Sequence, residues 1–427
     1  MKPLLEMIAR HKAGQAVGIY SVCSAHPLVI EAALRRAQRD SGNALIEATS
    51  NQVNQDGGYT GMRPVDFARF VHEIAARVGL PSERVLLGGD HLGPNCWQQL
   101  DAEEAMQRSE RLVTDYVTAG FRKIHLDCSM SCRGDPPSLC DETVAARTAR
   151  LCRIAEQPWR SAGGEAPVYV VGTEVPVPGG AHESLTELTP TAPAAAAATI
   201  EAHRKALAAV GLGDIWPRVI GLVVQPGVEF DHYRVVDYRP ELAGSLSALA
   251  AAQPHLLYEA HSTDYQTPEN LRALVRGHFA ILKVGPALTF AMREALWALA
   301  ALEREWLPPE QQSRLRETVL AAMAANPRYW EKYYATSGPQ RALNQQYSLS
   351  DRIRYYWPVP EVEAAVARLL TNLQATPPPL SLLSQFLPRQ YAAVRAGTLR
   401  LDARALVLHY VDGVLEQYAS ACAGSAP

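Results

Sequence analysis

An aspartate and a histidine, Asp90 and His91, stand next to each other at the end of a short apolar run. Residues 85–94 read Val-Leu-Leu-Gly-Gly-Asp-His-Leu-Gly-Pro. A run of this kind is typical of a buried parallel strand. At its carboxyl end the imidazole could bind a divalent metal and the carboxylate could transfer a proton. The alternative is a salt-bridged pair that caps the next helix, but similar polar clusters end several other strands.

Histidines follow three of the predicted strands. His91, His232 and His261 come after the third, sixth and seventh strands, and carboxylates accompany them. Three imidazoles suit a borderline ion such as zinc, with one position left for substrate. A single histidine is more often a core residue, but three on the same predicted face favour a metal site. The loop that holds His232 is long, and Glu174 could take its place.

These residues require a scaffold that brings strand ends together. Eight apolar or β-branched runs alternate with helical segments, at 17–23, 44–49, 85–89, 123–128, 168–172, 219–224, 256–260 and 279–284. Helical spacing of apolar residues marks 26–39, 64–78, 102–119, 141–156, 193–210 and 268–276. Eight strand–helix units predict an α/β fold of the (β/α)8 TIM barrel type over 1–305, with its site at the carboxyl ends of the strands.

Two further features bear on the fold. A doubly wound open sheet is the runner-up, but no Gly-x-Gly-x-x-Gly turn follows the first strand. Beyond about residue 305 the pattern is helical without another strand, which predicts a helical C-terminal extension over 306–427. That extension could pack on the barrel or form an oligomer contact.

Composition excludes several classes of protein. The 427 residues carry a formal net charge of −3, and 20% of them are charged, which argues against nucleic acid as the main partner. No apolar run reaches the roughly 18 residues of a membrane span, and no signal-peptide core opens the chain. We therefore expect a cytoplasmic protein. Seven cysteines, an odd number, argue against a disulfide framework.

Anion-binding groups are expected near the last two strands and in the extension. Hydroxyls and backbone N–H groups at a helix N-terminus would suit a phosphate, although ordinary helix capping explains Thr289 equally well. Two arginines of the extension could lie over the barrel mouth as an anion clamp. The candidates are Ser262, Thr263, Gly285, Thr289, Arg352 and Arg354.

The lysines argue against a Schiff-base mechanism. Only six lysines are present, and of these only Lys123 and Lys283 lie on predicted strands. Lys123 opens its strand, far from the predicted site. Lys283 lies below the rim of the barrel, because Val-Gly-Pro follows it.

Several long motifs, in order, resemble one known family. They are Gly-Gly-Asp-His-Leu-Gly-Pro (88–94), His-Leu-Asp-Cys-Ser-Met (125–130), Gly-Thr-Glu-Val-Pro-Val-Pro-Gly-Gly (172–180), Glu-Ala-His-Ser-Thr-Asp-Tyr-Gln (259–266) and Tyr-Ser-Leu-Ser-Asp-Arg-Ile-Arg-Tyr-Tyr-Trp (347–357). They resemble the D-tagatose-1,6-bisphosphate aldolase subunits of the GatZ/KbaZ type. The resemblance covers nearly the whole chain.

The resemblance implies a barrel related to zinc-dependent class II ketose-bisphosphate aldolases. By motif, Asp90 would be the acid/base carboxylate, and His91 and His261 would be metal ligands. Class II aldolases have Gly-Gly-Ser after the latter histidine, whereas this chain has Ser262-Thr263-Asp264, so its phosphate site differs. The metal would polarise the C2 carbonyl for cleavage at C3–C4. Asp90 or Asp127 would move the C4 hydroxyl proton, and Glu174 or Glu259 would lie near the carbon acid.

Three functions are compatible with this resemblance. The chain could be a ketose-phosphate aldolase, or a metal-dependent ketohexose 4-epimerase that re-adds the cleaved fragment. It could instead be a non-catalytic partner that stabilises a separate catalytic class II aldolase subunit, and an oligomer is expected. A polar, metal-competent barrel mouth favours a catalytic chain, and the usual description of the family favours a partner subunit.

Overall fold

Eight parallel strands close into a barrel, as the sequence predicts. The structure is a computed structural model that describes residues 1–172, 188–334 and 337–424. The barrel strands are β1 (Ile19–Val22), β2 (Ala44–Thr49), β3 (Val85–Leu92), β4 (Lys123–Leu126), β5 (Val168–Val171), β6 (Val219–Val223), β9 (Leu257–Ala260) and β10 (Ile281–Val284). A two-stranded antiparallel hairpin, β7 (Glu229–Phe230) and β8 (Val235–Val236), lies between β6 and β9 along the chain. The (β/α)8 TIM barrel is therefore confirmed.

Apart from the first, which precedes β1, the helices of the barrel follow its strands and cover their outer faces. They are α1 (Lys2–Lys12), α2 (Pro27–Arg39), α3 (Pro64–Val78), α4 (Ala102–Thr118), α5 (Asp141–Ala162), α6 (Pro193–Ala209), α7 (Pro240–Ala252), α8 (Pro268–Arg276) and α9 (Pro286–Trp306). Most of them begin with a proline, whose fixed φ suits the first helical turn. The sequence pattern missed α1 and α7. In α7 the residues are mostly alanine and leucine, so its apolar stripe is poorly defined.

Alternation along the strands builds layers inside the barrel. Leu45, Leu257 and Ile281 belong to an apolar cluster that α1 closes at the amino ends of the strands. Two residues further along the same strands, and hence on the same face, come Glu47, Glu259 and Lys283. All three are buried. The barrel therefore has an apolar floor, a charged middle layer and a polar mouth.

The C-terminal extension consists of helices and lies against the barrel. It contains α10 (Leu315–Ala325), α11 (Gly338–Tyr347), α12 (Pro360–Ala375), α13 (Leu380–Phe386), α14 (Pro388–Arg395) and α15 (Ala403–Cys422). The last helix, α15, packs against α2, α8 and α9, and Tyr418 donates to the carbonyl of Thr263 at 2.7 Å. A short 3-10 helix, Arg352–Tyr356, reaches the barrel mouth. The boundary near residue 305 stays a prediction.

No helix in the described ranges is both long enough and apolar enough to cross a membrane.

Candidate active site

Four side chains converge at the carboxyl ends of the strands. Asp90, His91, His125 and His261 are all buried, and one ligand atom from each lies within 4.8 Å of the others. Imidazole nitrogens and one carboxylate oxygen are the donors that a borderline divalent ion prefers. This donor set fits a divalent metal. The cluster contains the two histidines that the family motif indicates.

His91 is held in one orientation by a carboxylate behind it. Its Nδ1 lies 2.6 Å from Asp127 Oδ2, which leaves Nε2 for a metal. Asp127 is fully buried and also accepts from the backbone N–H and hydroxyl of Ser129. Burial opposes ionisation of Asp127, but the contact with His91 outweighs it and lowers the pKa of Asp127 to about 2. Carboxylates in this position orient ligand histidines and raise their basicity.

His261 has a comparable partner. Its Nε2 lies 2.9 Å from Glu259 Oε1, which leaves Nδ1 for a metal. Burial lowers the pKa of His261 to about 4, so this ring is neutral at physiological pH, as a metal ligand must be. Glu259 is fully buried in the charged layer beneath the histidine. Asp127 and Glu259, both predicted as candidate acid/base residues, thus lie behind the two candidate ligand histidines rather than facing the cleft.

The backbone is strained at the two strand ends that carry these histidines. His91 has φ of 49° and Ser262, directly after His261, has φ of 54°. Non-glycine residues pay about 1–3 kcal/mol for such conformations and keep them where the surroundings enforce them, often at functional sites. In β3 the strained residue lies where the register with β4 shifts, between Gly89 and Leu92.

Below the histidines, two lysines and three carboxylates form a buried network. Lys123 Nζ lies 2.5 Å from Glu47 Oε1 and 2.6 Å from Glu259 Oε2. Lys283 Nζ lies 2.8 Å from Asp90 Oδ1 and also contacts Glu47. Lys123 therefore points into the barrel, although it opens its strand. The sequence pattern did not predict this network.

Charge in this network fixes the ionisation of Asp90. Burial disfavours its charged form, but Lys283, His91 and His125 outweigh burial and hold the pKa of Asp90 well below its usual range. For Lys283, burial lowers the pKa, whereas Asp90 and the other carboxylates raise it well above its usual value. A protonated lysine is not a nucleophile, in keeping with the sequence-based argument against a Schiff base. Asp90 is the ionised carboxylate that faces the cleft.

His232 lies away from this cluster, and its predicted position there is corrected. Its ring nitrogens contact Ser348 Oγ and the carbonyl of Tyr333, each at 3.0 Å. The hairpin β7–β8 carries this histidine toward the C-terminal extension. His125 joins the cluster instead. Strand alternation could have identified it, since Lys123, His125 and Asp127 share the inward face of β4 and its continuation.

The groups predicted to bind a phosphate already make hydrogen bonds within the protein. Ser262 Oγ donates to Glu229 at 3.2 Å, and Thr263 Oγ1 donates to the carbonyl of Lys283 at 2.6 Å. The N–H of Gly285 donates to Asp264, and Thr289 donates to Asp351. These contacts fit the alternative interpretation of this region as capping.

Two buried carboxyl groups lie near these donors. Burial raises the pKa of Glu229 to about 7 and that of Asp264 to about 6. Neither was a candidate in the sequence analysis. Glu229 lies in the short hairpin strand β7, which the sequence pattern did not predict, and nothing in the sequence shows that Asp264 accepts hydrogen bonds from the start of α9.

The two arginines of the extension differ in position. Arg352 is buried, with its guanidinium over the ring of Tyr333 and a contact to the carbonyl of Tyr329. Arg354 lines the cleft and donates to Tyr355 Oη at 3.1 Å. Of the two, only Arg354 is placed to meet a bound anion. Glu174 falls outside the described residues.

The site opens into two adjoining cavities. The first, of about 640 Å³, is lined by Asp90, His91, His261, Asp264 and Lys283, among others. The second, of about 830 Å³, lies beside it and has apolar walls from Met62, Phe70 and Trp357. Arg354 and Tyr59 line both cavities.

Comparisons with known proteins agree with the motifs. The family described as D-tagatose-1,6-bisphosphate aldolase subunit GatZ/KbaZ-like matches residues 4–423. A solved structure from Sinorhizobium meliloti 1021, described as a probable tagatose 6 phosphate kinase, is 50% identical. The comparison covers 95% of this chain and 100% of that chain, with a TM-score of 0.88.

Two aldolase structures are more distant. The fructose-bisphosphate aldolase from Campylobacter jejuni is 15% identical, with 87% of this chain and 91% of that chain covered and a TM-score of 0.45. The YdjI aldolase from Escherichia coli K12 is 11% identical, with 88% and 96% covered and a TM-score of 0.39. Likeness at this level carries no argument about the site.

Proposed function

Because the chain belongs to the GatZ/KbaZ-like family of D-tagatose-1,6-bisphosphate aldolase subunits, we propose that it catalyses metal-dependent retro-aldol chemistry at C3–C4 of a ketohexose or its phosphate. The observation that carries the proposal is the buried cluster of Asp90, His91, His125 and His261, three members of which line the first cavity. A subunit that only stabilised a partner would have no need of such a cluster.

Zinc is the ion that we propose for this site. The cluster offers three imidazoles, and the carboxylates of Asp127 and Glu259 each fix one of them. Nitrogen-rich donor sets with such supporting carboxylates favour zinc over magnesium or calcium. When bound, a divalent ion supplies Lewis-acid polarisation of the ketone and stabilises negative charge on its oxygen.

The proton chemistry falls to residues that face the cleft. Asp90 is ionised and lines the first cavity, so it can accept the proton of the C4 hydroxyl as the C3–C4 bond breaks. Lys283 contacts the same carboxylate and holds its charge in place. Asp127 and Glu259 orient the histidines, and a role for Glu174 near the carbon acid stays a prediction.

Epimerisation at C4 is a second candidate, favoured by the shape of the cleft. The C-terminal segment Arg352–Tyr356 reaches the mouth, and Arg354 and Tyr355 help to line the first cavity. The adjoining cavity offers space in which a cleaved aldehyde could stay, turn and re-add. An aldolase releases this fragment, whereas an epimerase keeps it. The two reactions share every earlier step.

The test uses the purified chain alone. We would incubate it with tagatose 1,6-bisphosphate, tagatose 6-phosphate, tagatose and fructose, with zinc or with a chelator. Triose release identifies an aldolase, and interconversion at C4 without fragments identifies an epimerase. Since the Sinorhizobium relative is described as a probable kinase, one arm contains ATP and monitors ADP.

Asp90→Asn gives the decisive comparison. It should keep its fold and, through the three remaining imidazoles, its metal, but lose turnover by roughly a hundredfold or more, because the proton acceptor is gone. Equal loss of metal would make Asp90 a ligand instead. Asp231→Asn is the matched control, since Asp231 caps the turn of the β7–β8 hairpin. If every substrate stays intact, and adding a catalytic aldolase subunit produces a more stable and more active complex, the chain is a partner subunit and the proposal fails.

A further inference from the structure

The start of α9 has an anion-binding geometry that the protein's own carboxylate fills. The backbone N–H groups of Gly285 and Ala287 both donate to Asp264 Oδ1, at 3.0 and 2.8 Å. N–H groups at the start of a helix that follows a late barrel strand are a common phosphate seat. Asp264 is 3% exposed and lines the first cavity. A phosphate could occupy this seat only by displacing a carboxylate of like charge.

The hydroxyl groups around this seat also donate hydrogen bonds to acceptors within the protein. Thr289 Oγ1 donates to Asp351 Oδ2 at 2.6 Å, and Ser262 Oγ donates to Glu229 Oε2 at 3.2 Å. Each hydroxyl thus already donates its hydrogen to a carboxylate. Five donors, counting the hydroxyl of Thr263 and the two backbone N–H groups, point at protein acceptors. They are not free for a phosphate.

The position of this seat determines which end of a sugar would meet it. Asp264 lies three residues after His261, in the loop that leaves β9. His261, Asp264 and Gly285 line the same cavity. Retro-aldol chemistry places the C2 ketone at the histidine cluster, and C1 is bonded to C2. A ketose whose C1 points along this wall brings its C1 substituent to the start of α9 and leaves C6 at the far end of the carbon chain.

We propose that Asp264 is a specificity-determining residue that selects ketoses with a free C1 hydroxyl over those with a C1 phosphate. The inference rests on the proposed function, because it names the substrate that the retro-aldol site accepts. A C1 hydroxyl can donate a hydrogen bond to the carboxylate of Asp264. A C1 phosphate would place negative charge against it. A phosphate at C6 would lie at the other end of the sugar from a C1 group that contacts Asp264, and Arg354, which lines both cavities, could be its counter-charge.

Binding measurements test the inference separately from turnover. The zinc-loaded chain is titrated calorimetrically with tagatose 6-phosphate and with tagatose 1,6-bisphosphate. The parent protein should bind the monophosphate at least roughly tenfold more tightly, because juxtaposed like charges cost several kcal/mol. Asp264→Ser removes the carboxylate and opens the seat, so it should narrow this ratio by at least roughly tenfold.

Two further variants complete the design. Asp264→Asn keeps the size of the side chain and an oxygen that can accept from the two N–H groups, so it tests charge alone if the serine variant fails to fold. It should narrow the ratio as well. Asp231→Asn, at the hairpin turn, should leave the ratio unchanged.

Equal or tighter binding of the bisphosphate by the parent protein overturns the inference, as does a ratio that neither Asp264 variant changes. If the bisphosphate binds tightly and is cleaved, the inference about Asp264 is wrong but the proposed retro-aldol function is supported. If neither sugar binds and neither is turned over, both fail.

Discussion

Lys123 offers a sharp test of the charged layer inside the barrel. It is fully buried, and its ammonium lies 2.5 Å from Glu47 and 2.6 Å from Glu259. With Asp90 and Lys283, the layer contains three carboxylates and two lysines, a net charge of −1 if all are ionised. Lys123→Met removes one positive charge at similar volume. The layer would then carry −2, and the two carboxylates that Lys123 contacts, Glu47 and Glu259, are fully buried.

The expected loss follows from these distances. Coulomb's law with an effective dielectric constant of about 20 gives about 6 kcal/mol for unit charges 2.6 Å apart. Desolvation of the lysine offsets part of this, and the carboxylates can take up protons when unpaired. Removing one partner of a buried ion pair usually costs about 3–5 kcal/mol. We expect Lys123→Met to lower the free energy of unfolding by about that amount.

The assay is urea denaturation followed by circular dichroism at neutral pH. Lys205→Met is the control, because Lys205 is exposed on α6 and its contact with Glu201, at 3.5 Å, is a surface pair. It should change stability by less than about 0.5 kcal/mol. The double variant Lys123→Met/Glu259→Gln restores the net charge of −1 and should recover part of the loss.

A small effect would refute this reasoning. If the free energy of unfolding of Lys123→Met lies within about 1 kcal/mol of the parent value, the ammonium is not an essential counter-charge. The double variant should be more stable than Lys123→Met. If its free energy of unfolding is lower instead, the charge argument is contradicted. Packing, rather than charge, would then determine the stability of this layer.

Three further outcomes are expected. Asp127→Asn should weaken zinc affinity by about 10–100-fold in a chelator competition, because the amide lacks the negative charge with which Asp127 orients the ring of His91. Unchanged affinity would show that Asp127 does not have this role. His232→Ala should leave metal stoichiometry unchanged but lower the thermal midpoint, since the ring contacts Ser348 of the extension; loss of metal would restore His232 as a ligand. Gly93→Ala should destabilise the protein by more than about 1 kcal/mol in urea, because the added Cβ would lie 1.8 Å from the carbonyl oxygen of Asp127; a neutral substitution would contradict this packing.

Some site residues follow from the sequence because strands encode them locally. Asp90 and His91 end an apolar run, and Glu259 and His261 end another. In a parallel barrel the carboxyl ends of all strands meet on one face. Alternation with period two also fixes which residues face inward, and it could have identified His125. These inferences need only the strand and its direction.

The positions and contacts of loop residues could not be predicted from the sequence. His232 follows β6 by too many residues for its position to be fixed by the strand, and the β7–β8 hairpin carries it toward the extension. Asp264 and Asp351 take the donors at the start of α9. A hydroxyl or a backbone N–H in a sequence does not show whether a ligand or a neighbouring carboxylate will accept from it.

The sequence by itself determined the barrel, its helical extension and the face on which polar residues collect, because hydrophobic periodicity and strand direction are local properties. Only the tertiary structure decided which of these residues touch. Lys123 meets Glu47 and Glu259, 76 and 136 residues away, because closing the barrel brings the inward faces of distant strands within a few ångströms. Contacts across a closed barrel depend on register and stagger, which no short segment of sequence specifies.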